Sequence, residues 1–184
     1  MKVAFSVDGV LADLNGGLSK LAVNLYGTTF GKLSPEQKRI VWRTIGASED
    51  FWEQLNERES GVVAKLAEVA QINRWEVIFL VSRGPTPGST TQTQTQRWLI
   101  RHGFDFPAVW VMQQPSAAAA EPLGLDLIVD AAYVRSTSVD KWLPRVCEVL
   151  HGEMSQPVDV PRRAPARFPG WLATLLPFAT ARTS

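Results

Sequence analysis

The segment Trp75-Glu76-Val77-Ile78-Phe79-Leu80-Val81 ends in an unbroken apolar run, and Ser82-Arg83-Gly84-Pro85-Thr86-Pro87-Gly88 stops it at once. A short β-branched and aromatic run of this kind suits a strand buried on both faces, as central strands of parallel sheets are. Val3-Ala4-Phe5-Ser6-Val7 does the same and turns at Asp8-Gly9. Val109–Met112, Leu127–Val129 and Val146–Leu150 read as further strands. From residue 60 to 150 strand and helix signals alternate. That alternation predicts an α/β fold: a Rossmann-like parallel sheet of about five strands with helices on both faces. Sites in such sheets lie beyond the carboxyl ends of the strands. The loops Ser6–Asp13, Ser82–Gly88 and Asp130–Arg135 follow strand ends there.

The helix signals are local. Leu18, Leu21, Ala22 and Leu25 recur at helical spacing, and Gly27 closes that helix. Ser34-Pro35-Glu36-Gln37 combines a serine cap, proline at the first helical position and a capping-box glutamine. Ile40, Val41 and Ile45 form the stripe behind it, and Gly46 ends it. Ser48 reads as the cap of a short helix carrying Phe51, Trp52 and Leu55. A helix from about Ser60 to Ala70 faces Val62, Val63, Leu66 and Val69 inward. Another runs from Thr90 to His102 and stops at Gly103; a further short one spans Ser116 to Leu123. The Thr/Gln alternation at 90–96 resembles low complexity but is enclosed by signals for order.

Composition sets outer limits. With 184 residues, 45% of them hydrophobic and a net charge of +1, the chain is not a disordered one and carries no overall basic footprint for nucleic acid. No uncharged apolar run reaches the roughly 18 residues of a membrane span. The N-terminus meets Asp8 too early for a secretory leader. A single cysteine, Cys147, forms neither an internal disulfide nor a cysteine zinc cage; it reads as a buried strand residue. These readings predict a cytoplasmic protein. The charge shifts near the C-terminus, where residues 157–184 hold four arginines, one aspartate and five of the 12 prolines. The predicted organisation is a core of residues 1–13 and 59–156, a helical cap insertion at 14–58, and a basic, proline-rich tail at 157–184. Residues 170–178, rich in Trp and Leu, form a candidate segment for docking on the body or on a protein partner.

Three of the strand ends carry a pattern. Phe5-Ser6-Val7-Asp8-Gly9-Val10-Leu11-Ala12-Asp13 resembles the first motif of the haloacid dehalogenase-like (HAD) phosphohydrolase superfamily, an apolar strand followed by Asp-x-Asp-Gly-(Thr/Val)-Leu. Ile78–Arg83 is similar to the second motif, and Asp126–Asp130 to the fourth. The resemblance spans about residues 3–151 and is nearest to small deoxyribonucleotidase-like members with a helical insertion. It implies strand order 5-4-1-2-3. It also implies a nucleophilic Asp, a second Asp as acid/base, a lysine, and a magnesium ion to offset the charge at phosphorus.

The chain departs from that set. Ser6 stands at the nucleophile position, while Asp8 keeps the acid/base position. Asp130 is followed by Ala131, which leaves half of the acidic pair and at most a weak magnesium site with the Asp8 carbonyl. None of the six lysines lies between the second and fourth motifs; Arg97 and Arg101 offer charge there, but from a helix expected over the sheet face. The expectation is a HAD-fold protein without the family's chemistry, a non-catalytic phosphate-binding or structural protein with no cofactor or weakly bound magnesium. A small phosphorylated ligand would meet Ser6, Ser82 and Arg83. The alternatives are an altered magnesium-dependent phosphohydrolase using Ser6 or water with Asp8, and a scaffold acting through the tail. Each residue also has a plainer role open to it. Asp8 suits a turn accepting backbone N–H groups, and Asp130 suits pairing with Arg83 or Arg135. Trp42 and Trp52 suit core packing, and His102 suits a cation at a helix end.

Overall fold

The computed structural model describes residues 2–113, 120–130 and 146–147. The tail at 157–184, with its candidate docking segment, lies outside them, as do Arg135, residues 116–119 of the expected short helix and residues 148–150 of the expected last strand.

Strands β1 (Lys2–Ser6), β2 (Glu76–Val81), β3 (Ala108–Val111) and β4 (Leu127–Val129) form a parallel sheet in the order β3-β2-β1-β4. The two residues of β5 (Val146–Cys147) pair parallel beside β4. The chain is thus an α/β protein built on a parallel sheet. Stepping from β1 to β2 to β3 in one direction with right-handed crossovers places the connecting helices on one face. Accordingly α3 (Val62–Ile72) and α4 (Thr91–Arg101) bury Val63, Leu66, Trp98 and Leu99 against Val3, Phe5, Phe79 and Val81. On the opposite face, Leu123 of the short α5 (Ala120–Leu123) and Leu125 pack with Ala4, Leu80 and Ile128.

Residues 14–58 are helical, and they share the main core. Helix α1 (Leu14–Tyr26) ends on Gly27 in the left-handed conformation, and α2 (Pro35–Ala47) begins with the full Ser34/Gln37 capping box. Leu18, Ala22, Val41, Ile45, Trp52 and Leu55 lie in one apolar cluster with Val3, Phe5 and Phe79 of the sheet. Several expectations are corrected. Gly46 does not end α2, which runs one residue further. Ser48 caps no helix after it; it closes α2, and its hydroxyl donates to the Thr44 carbonyl. The chain then makes a single 3-10 turn, Phe51–Gln54, entered through Asp50 at positive φ. Trp52 is the buried residue of that turn. Trp42, Leu25 and Ile40 are not core residues: they are 44%, 43% and 38% exposed, with Trp42 edge-on to Phe30.

The Thr/Gln alternation proves to be a wiring block. Thr90 caps α4 by accepting from Thr93 N–H. Thr91 donates to the Gly84 carbonyl, and Thr95 to the Thr91 carbonyl. Gln94 is fully buried; it accepts from Trp52 N–H and donates to Thr86 and to the Ser89 carbonyl. Gln92 and Gln96 donate to the carbonyls of Val109 and Pro107 at 3.4 and 3.3 Å. Both carbonyls turn away from β2, because Met112 N–H reaches Val81 and successive strand residues alternate.

Candidate functional site

Register fixes the site's frame. Ser6 pairs with Leu80 of β2, and Phe5 with Val129 of β4, so Ser6, Ser82 and Asp130 lie together at the carboxyl edge of the sheet. The chain leaving β1 then turns back on itself. Val7 N–H reaches the Leu80 carbonyl, the N–H groups of Leu11 and Ala12 return to the Val7 carbonyl, and Gly9 takes φ 78°. Residues 56–58 clamp this loop: Asp13 N–H donates to the Asn56 carbonyl, Arg58 N–H to that of Leu11, and the Arg58 guanidinium to that of Gly9. Burial lowers the Arg58 pKa from its usual value, against the raising influence of Asp13 and Glu59.

Asp8 does not serve as a turn residue capturing backbone N–H groups. Its carboxylate takes Arg83 Nε at 2.9 and 3.0 Å and Arg83 Nη2 at 2.7 Å. The Arg83 side chain is 1% exposed and that of Asp8 17%. Arg83 Nη1 donates to Thr95 Oγ1 at 3.1 Å, and the guanidinium carbon sits 4.9 Å from the centre of the Trp52 ring. Trp52 is itself fixed at both ends, its indole N–H on the Gly84 carbonyl and its backbone N–H on Gln94. Arg83 therefore pairs with Asp8. A planar guanidinium with a carboxylate on its edge and an aromatic ring on its face uses both of its recognition modes.

Neither Ser6 nor Ser82 hydrogen-bonds to this pair among the described residues. Ser6 is half-buried, and its hydroxyl makes no hydrogen bond among the described residues. Ser82 is exposed and Asp130 is 4% exposed. Among the described residues no group of three His, Cys, Asp or Glu side chains is placed to hold a metal ion. Arg97 and Arg101 both bind Glu53 at 3.2 Å, joining α4 to the insertion. Asp50 performs a similar task at the second loop, accepting from Ser89 N–H. Its carboxylate lies 2.6 Å from where a Cβ on Gly88 would sit, and Gly88 has positive φ, so a side chain there would be strained and would have to displace Asp50.

His102 differs from expectation. It ends α4, but its ring lies 4.5 Å from that of Trp98, and burial lowers its pKa below the ordinary 6.5, with Glu57 opposing and Arg101 adding to the fall. Loss of hydration is the largest cause and outweighs the attraction of Glu57. The fold thus favours neutral His102: its contribution to stability is complete above pH 6.5 and is lost as pH falls through the folded-state pKa. The urea midpoint of the wild type is expected to drop between about pH 7.5 and about pH 5.5 by more than that of His102→Gln; equal drops would remove His102 as the cause.

Compared with models of known protein families the chain matches none, and a search of curated proteins gives no match either.

Proposed function

We propose that this chain is a HAD-like protein that does not perform phosphoryl transfer, and that its strand-end site serves ligand binding or the structure itself. One observation carries the reading: the Asp8–Arg83 pair. Both oxygens of the carboxylate at the acid/base position accept from a buried guanidinium, a partner that a general acid would have to share with the leaving-group oxygen. The serine at the nucleophile position supports the same conclusion, since no described residue hydrogen-bonds its hydroxyl and a serine needs a base to attack. The reading includes a five-stranded Rossmann-like sheet with helices on both faces, a cytoplasmic location and a small phosphorylated ligand at Ser6 and Ser82. No helix among the described residues is long and apolar enough to cross a membrane.

The test is hydrolysis of general phosphomonoesters and deoxynucleotides by the purified chain with magnesium. No turnover above buffer is expected; turnover abolished by Asp8→Asn would defeat the proposal. Ser6→Asp restores the missing carboxylate but adds neither a lysine nor a free acid, and it is expected to remain without phosphatase activity in the same assay.

A further inference from the structure

We propose that Arg83 is an oxyanion receptor whose resident anion is the chain's own Asp8, and that a free phosphate-class oxyanion takes the same seat when the Asp8 carboxylate is removed. The receptor is built before any ligand arrives. Thr95 holds one end of the guanidinium, the Trp52 ring covers its face, and the side chain is 1% exposed. Its Nε and Nη2 edge is directed at Asp8, whose side chain is the partly open member of the pair at 17%. The pair meets solvent at the Asp8 carboxylate, so removing that carboxylate uncovers the Nε and Nη2 edge.

That edge presents two parallel N–H donors, the geometry that fits carboxylate and phosphate alike. The Ser6 hydroxyl, two residues before Asp8 and without a hydrogen bond among the described residues, is a further donor at the same strand end. In the intact chain Asp8 is tethered, so its effective concentration exceeds that of any dilute free anion. Remove it, and a buried guanidinium is left uncompensated, which gives an external anion a strong reason to bind. This inference shares with the proposed function the holding of Asp8 by Arg83 and Ser6 as a donor to phosphate, and does not rest on the absence of phosphoryl transfer.

The experiment is thermal unfolding of the full chain as wild type, Asp8→Ala and Asp8→Ala/Arg83→Met, titrated with sodium phosphate or formate against chloride at constant ionic strength. Asp8→Ala is expected to melt about 10 °C below the wild type in chloride. Phosphate then raises its midpoint saturably by several degrees, as a ligand bound only to the folded state does. The wild type and the double variant rise by much less. Equal responses in all three chains would overturn the proposal, and so would rescue by formate without rescue by phosphate. If Asp8→Ala is unfolded in chloride, Asp8→Ser is titrated beside it; folding of either variant on adding phosphate supports the proposal, and failure of both to fold at any phosphate concentration overturns it. Phosphatase turnover by the wild type would defeat the functional reading and leave this titration unaffected, whereas failed rescue leaves that reading standing.

Discussion

Arg83→Met is expected to lower the unfolding free energy by about 3–5 kcal/mol, the usual cost of leaving one member of a buried ion pair alone. The figure needs little discount for solvent, since the Arg83 side chain is 1% exposed and its partner 17%. Methionine keeps much of the contact with Trp52 but supplies no donor to Asp8 or Thr95. The pair itself contributes far less than either single loss suggests, because desolvating both charges offsets much of their attraction. Asp8→Ala/Arg83→Met should accordingly lose less than the two single variants added together, with a coupling of about 2 kcal/mol. Urea unfolding of the four chains measures this. Strict additivity would show that the two groups do not depend on each other in solution.

Trp52→Ala should cost a similar amount, about 3–5 kcal/mol, for a different reason. Trp52 is 2% exposed and carries the whole 3-10 turn into the core. Its removal opens a cavity, strips the ring from Arg83 and leaves the Gly84 carbonyl without its indole donor. Trp52→Phe separates these effects: it keeps most of the apolar volume and loses the hydrogen bond, for about 1 kcal/mol. Guanidinium chloride unfolding of the three chains would test the order. A Phe variant as unstable as the Ala variant would place the energy in the polar contact and not in packing.

The strands and the caps were legible because each depends on a few adjacent residues. Val3–Phe5 and Ile78–Val81 have no polar position to expose, and Ser34-Pro35-Glu36-Gln37 specifies its helix start by itself. The site was legible as a place: strand ends in a parallel sheet converge whatever the side chains. Its internal pairing was not, since Asp8 and Arg83 are 75 residues apart in sequence and either carboxylate at the sheet edge suited the arginine.

The helix over the Thr/Gln run was legible, but its buried face was not, although the signal for it was present. Thr91, Gln94, Thr95, Trp98 and Leu99 fall at i, i+3, i+4, i+7 and i+8, the spacing of a buried helix face, and all five are buried. Hydropathy hid it, because three of the five are polar. Those three residues bind the Gly84 carbonyl, the Trp52 N–H and the Arg83 guanidinium, so the polar half of the stripe packs against backbone and charge where the apolar half packs against the sheet. The exposed Trp42 is the converse case: an apolar residue in α2 that the core never reaches.

Gln92 and Gln96 carry a consequence for assembly. With Pro107 lacking an N–H, and the outward carbonyls of Pro107 and Val109 already accepting from amides of α4, the chain entering β3 offers an incoming strand one donor fewer and two occupied acceptors. Oligomers or fibrils growing by strand addition at that rim would first have to pry two glutamines loose. The sheet thus carries its own selvedge, woven from the helix lying over it.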